Sequence, residues 1–196
     1  MKVALGLKAH SGWAVLVAVG IEKDEIHVLD RRRIELVEKG SMWAKQPYHA
    51  AEGQEPAKAR KIVQAGIAMS RRCALKELRA AVKRLKPAGH KVSACVVLVP
   101  SPMPDWTTAE ILAVHFRMHK AEGVLFPDSL LRAAKKCGLR CLPVPEKQLV
   151  ERAKQVLGNR SRAVAGRINK LGKVVGPPWG SDQKNAALSA VLAAMR

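Results

Sequence analysis

The stretch Val3 to Gly20, VALGLKAHSGWAVLVAVG, holds two apolar runs on either side of the polar turn Lys8-Ala9-His10-Ser11-Gly12. A run that is apolar on both parities leaves no face for water, so such a strand needs cover on both sides and belongs in the middle of a sheet. A turn leaving a strand of this kind is also a common ligand position. After a charged turn at Glu22–Glu25, the segment Ile26–Val37 alternates loosely through Ile26, Val28, Ile34 and Leu36. Residues 2–37 therefore read as a three-stranded antiparallel meander. Its run Arg31-Arg32-Arg33 is expected on a solvated sheet edge.

The following segments alternate in type. Residues 40–53, with Trp43, Tyr48 and His49, lack periodicity and read as a loop. Glu55-Pro56 opens a long helix that ends near Lys86, with apolar residues at helical spacing from Ile62 to Leu85. Val92–Val99 is a continuous apolar run and reads as a buried strand. Thr107 with Glu110 fits a capping box for a helix expected to end at Gly123. A further helix from Asp128 to Cys137, a short strand Leu139–Val144 and a helix from Pro145 to Gly158 complete a parallel α/β unit. Residues 159–180 are a basic, Gly/Pro-rich connection with a short helix. A last helix, capped by Ser181 or Asp182, carries Ala187, Leu188, Val191, Leu192 and Met195 on its apolar face. The whole of 1–196 reads as one domain.

Charge narrows the partners. Lys and Arg number 35 against 16 Asp and Glu, a net charge of +19. Such a balance points to an anionic partner, nucleic acid before an acidic membrane surface. The 58–86 helix has ten cations and one acid, Glu77. The cations expected to meet nucleic acid are Lys8, Arg71, Arg72, Lys76, Arg79, Lys83, Arg160, Arg162 and Arg167. The four cysteines lack C-x-x-C spacing and read as reduced core thiols. With no apolar run of membrane-spanning length and no secretory leader pattern, the expectation is a cytoplasmic protein off the membrane. Phosphate-loop, dinucleotide-binding, zinc-finger and nucleophile-elbow motifs are all missing.

One local constellation carries chemistry. In His115-Phe-Arg-Met-His119-Lys-Ala-Glu122, the two histidines and the glutamate share one helix face, within about 60° of one another. Ile111, Leu112, Phe116 and Met118 flank that face, so the trio is expected to point inward, and buried ionisable groups need partners. A buried His–Glu network, a catalytic or anion-binding group, and a metal pair at i, i+4 are the three readings. His10 in the first turn, His49 in the aromatic loop and Asp182 at the start of the last helix are candidates to join His115, His119 and Glu122. No cofactor and no metal ligand set is assigned, and the histidine pair leaves a divalent metal open.

The order of elements, the opening ALGLKAHSGWAVL and the closing SDQKNAALSAVLAA together resemble the ribonuclease H-like superfamily, in particular its RuvC-type junction resolvases. The HSGWA and GPPW segments are also similar to bacterial proteins of no known activity. The resemblance implies an α/β fold with a three-stranded antiparallel meander extended by parallel strands and helices on both faces. It also implies acidic residues at the ends of the first and fourth strands and on the last helix, which bind two Mg²⁺ for phosphodiester hydrolysis. Here Lys8 stands at the first position, Val99-Pro100-Ser101 at the second, and only Asp182 matches. The expectation is a nucleic-acid-binding protein without an intact two-metal nuclease site. The alternatives are a hydrolase acting on a small anionic substrate through the His/Glu cluster, or a non-catalytic scaffold.

Overall fold

The computed structural model describes residues 1–195. Strands β1 (Lys2–His10), β2 (Trp13–Glu22) and β3 (Glu25–Glu35) form the antiparallel meander. Strands β4 (Val92–Val99) and β5 (Arg140–Pro145) extend the sheet parallel to β1, in the order β3-β2-β1-β4-β5. β1 is central, as its two apolar faces require. The first turn is shorter than expected. Both strands run on, pairing Lys8 with Val15 and His10 with Trp13, and only Ser11 and Gly12 turn the chain. Gly12 has φ +83°, which a residue without Cβ adopts at little cost.

The helices are α1 (Pro47–Ala51), α2 (Pro56–Leu85), α3 (Thr108–Leu112), α4 (His115–Lys136), α5 (Leu149–Leu157), α6 (Ser161–Val175) and α7 (Ser181–Ala194). Alternate strand residues feed two separate cores. Leu5, Leu7, Leu16, Cys95 and Val97 pack with α2 and α4, whereas Ala4, Val15, Val17, Val96 and Leu98 pack with α5, α6 and α7. The ends are capped chemically. Glu55 accepts from the backbone N–H groups of Ala57 and Lys58 at the start of α2, and Thr107 and Glu110 exchange hydrogen bonds across the first turn of α3.

Several local expectations are corrected. Residues 40–53 are not a loop: a 3-10 turn at Met42–Lys45 leads into α1. Gly123 ends no helix. The break falls at Ala113–Val114, and α4 continues through both Gly123 and Pro127. Pro127 cannot donate to the carbonyl four residues back, but buried Met118, Ala121, Leu125, Phe126 and Leu130 hold the helix on both sides of it. The short helix expected within 159–180 is the 15-residue α6. Gly180, not Ser181 or Asp182, is the N-cap of α7. Arg31 is not simply solvated on the edge strand. Its guanidinium donates to the carbonyls of Gly176, Pro177 and Pro178 at 2.7, 3.1 and 2.8 Å, which ties the α6–α7 connection to β3.

Candidate functional cleft at the carboxyl end of the sheet

The close packing of α7 on β1 sets the first half of the site. A Cβ at Gly6 would lie 1.8 Å from the Ala186 carbonyl oxygen, so only glycine allows this approach. Two strand residues on from Gly6 is Lys8, about 6.6 Å further along. One helical turn back from Ala186 is Asp182, about 6 Å in the same direction. The two side chains meet. Lys8 Nζ donates to Asp182 Oδ1 at 2.9 Å and also to Glu146, in the 3-10 turn that follows β5. His10 Nε2 lies 3.0 Å from Asp182 Oδ2, and its ring stacks on Trp13 at 4.2 Å between centroids. Arg33 lies over the same indole at 4.1 Å.

The charges reinforce one another. Burial raises the Asp182 carboxyl, but the hydrogen bonds and charges of Lys8 and His10 outweigh burial and hold it below the usual aspartate value. Burial lowers the Lys8 ammonium, but the Glu146 and Asp182 carboxylates overcome burial and hold it above the usual lysine value. The Lys8 side chain is only 15% exposed, so it is a partner of these carboxylates rather than a free surface cation.

The second half is built on α4 and α1. Glu122 is 5% exposed, and its Oε1 accepts from the backbone N–H groups of Tyr48 and His49, each at 3.2 Å. It therefore caps α1 from another element, in place of a local N-cap side chain. It also accepts from His49 Nδ1 at 2.8 Å, so Nε2 is the ring nitrogen left for other partners. His115 and His119 do not point inward as expected. Both are exposed, beside Phe116 at 64% exposure, and their Nε2 atoms are 3.1 Å apart. The inward position on this face is Glu122 alone, because α1 packs where a core side chain would otherwise sit.

Between the halves lies a cleft of about 730 Å³, lined by Val99, Phe116, His119, Lys120, Glu146 and Asn185 among others. It opens at the carboxyl ends of β4 and β5, where open α/β sheets bind ligands.

No protein-family model and no curated protein sequence matches this chain. Solved structures do. RuvC of T. thermophilus in complex with a Holliday junction substrate is 14% identical, with a TM-score of 0.52 over 100% of this chain and 94% of its own. A second structure of Thermus thermophilus RuvC is 15% identical, with a TM-score of 0.51 over 99% and 94% of the two chains. The fold is ribonuclease H-like. At this identity the likeness is one of fold.

Within the ribonuclease H-like frame, Lys8 lies near the end of β1, Val99 closes β4 and Asp182 opens α7. Of the six residues proposed for chemistry, His10 and Asp182 come together in one group, and His49, His115, His119 and Glu122 in the other. Glu146 was not singled out from the sequence, because its contact with Lys8 spans 138 residues. Trp13 was missed as well, although its place beside the turn was a usable signal. The proposed nucleic-acid cations divide. Arg71 pairs with Asp128, Arg72 with Glu38 and Arg160 with Asp24, while Arg167 donates to the Asp24 carbonyl. Among the described residues, Lys76, Arg79, Lys83 and Arg162 have no ion-pair partner.

Proposed function

We propose that this protein binds nucleic acid along the outer face of α2, without two-metal phosphodiester cleavage. The observation that carries the reading is a stripe of cations. Lys58, Lys61, Lys76, Arg79, Lys83 and Lys86 are all exposed, and no ion-pair partner is found for them among the described residues. At about 100° per residue they fall within roughly 80° of one another, opposite the buried side of the helix. From first to last they span about 42 Å, the axial length of roughly 12 base pairs. Unpaired like charges on one face repel one another, and a polyanion relieves that repulsion.

The acidic end of the sheet supports the second half of the proposal. A two-metal site needs several oxygen ligands around hard cations. Here the carboxylates of Asp182 and Glu146 are already engaged by the Lys8 ammonium, which is the resident cation of that pair. The residues present do not fit two Mg²⁺.

The test is fluorescence anisotropy with labelled duplex and four-way-junction DNA as salt is varied. Six phosphate contacts give a slope of log K against log salt of about −5, or roughly three decades of affinity lost between 50 and 200 mM. Lys76→Ala/Arg79→Ala/Lys83→Ala is expected to flatten the slope by about 3. No binding at low salt, or an unchanged slope in the triple variant, overturns the proposal.

A further inference from the structure

We propose that His49, His115 and His119 form a binding site for a Zn²⁺-type divalent metal ion, with Glu122 as the carboxylate that orients the first of the three. One ring nitrogen from each residue lies within 4.8 Å of the other two. One pair, His115 Nε2 and His119 Nε2, is 3.1 Å apart. Two nitrogens bound tetrahedrally to one zinc at ordinary lengths sit about 3.4 Å apart. That pair is thus close to ligating distance, and the i, i+4 spacing on α4 holds it there. The third member comes from α1, with ring centroids 4.7 Å from His119 and 5.1 Å from His115. Closing the remaining gap needs only rotamer adjustment, since His115 and His119 are on the surface.

The orientation of His49 fits a ligand. Its Nδ1 faces the Glu122 carboxylate at 2.8 Å, so Nε2 is the ring nitrogen left for a further partner. His115 and His119 already bring their Nε2 atoms together on the surface of α4, and one ion placed between them would bind both.

The donor set also selects the ion. Three imidazoles suit Zn²⁺, Co²⁺, Ni²⁺ or Cu²⁺, and exclude Mg²⁺ and Ca²⁺, which require oxygen. Glu122 plays the part that a carboxylate plays behind a metal-bound histidine: it fixes the tautomer and raises the basicity of the ring. With three protein ligands a fourth position stays open to water. This is the arrangement of reactive rather than purely structural zinc sites, and His119 places it at the wall of the cleft. The site does not depend on the cation stripe of α2, so it stands or falls apart from nucleic-acid binding.

The test uses the full chain without an affinity tag, stripped of metal by chelator dialysis and then titrated with Co²⁺. The expected result is one equivalent bound with the visible absorption bands of a low-coordinate cobalt site, displaced by one equivalent of Zn²⁺. His115→Ala/His119→Ala removes two exposed side chains, keeps the fold, and is expected to weaken Zn²⁺ binding at least a hundredfold in isothermal titration. Glu122→Gln is expected to weaken it about 10–100-fold. His27→Ala, on the far side of the sheet edge, is expected to change nothing. Wild-type protein that takes up no more Co²⁺ than the double variant, or equal loss in His27→Ala, overturns the proposal.

Discussion

Lys8 shows how one residue can invert the chemistry of a site. An aspartate there would join Asp182 and Glu146 and demand an external cation. The lysine supplies the cation from within. This has a pH signature. Asp182 titrates lower in the folded chain than in the unfolded one. Its contribution to stability is thus complete above about pH 3.9 and is lost as pH falls through the folded value. Lys8 titrates higher when folded, so its contribution is complete below about pH 10.4 and is lost as pH rises through the folded value. The stability deficit of Lys8→Met is expected to be constant between about pH 5 and 9 and to shrink at both extremes. Urea midpoints of the two proteins across pH measure it, and a deficit as large at pH 3 as at pH 7 contradicts the ion-pair account. Glu122 shows the other use of a carboxylate, as an acceptor for two backbone N–H groups and one imidazole. Its inward place could be read from the apolar flanks of its helix face. The outward place of its histidine neighbours could not, because periodicity assigns a face and not a depth.

At the scale of elements, the parts that were legible are those that declare themselves in a few consecutive residues. The apolar runs of β1, β2 and β4, the Glu55-Pro56 start of α2 and the Thr107/Glu110 box all fall in this class. What was hidden depends on distant partners. The five residues of α1 are too few for a periodic signal, and Glu122 caps them from 73 and 74 positions away. α4 passes through Gly123 and Pro127 because tertiary burial outweighs two weak stop signals. The α7–β1 contact is the most demanding junction in the sheet. Gly6→Ala is expected to cost about 3 kcal/mol, because the new methyl meets backbone and not a movable side chain. A denaturation midpoint unchanged from wild type would show that α7 is free to lift away.

At the scale of the whole molecule, charge and fold were read with unequal success. A basic chain was evident from composition, but composition says nothing about where cations lie. The 58–86 helix and the basic 159–180 connection, whose cations were expected to meet nucleic acid together, lie in the two layers on opposite sides of the sheet. A straight duplex along α2 does not reach α6. Arg162→Ala/Arg167→Ala is therefore expected to change duplex affinity by less than about twofold, whereas the α2 triple variant loses most of it. Equal losses in the two variants would mean that the nucleic acid wraps the sheet edge.

The match between two steps of strand and one turn of helix, from Gly6 to Lys8 and from Ala186 to Asp182, works as a vernier. Packing is gauged at one mark and chemistry at the next. Removing one residue between Asp182 and Ala186 would leave the contact at Gly6 intact and swing Asp182 through about 100°, away from both Lys8 and His10. A lineage of such chains could therefore gain or lose the polar site by a change in spacing alone, with every core side chain unchanged.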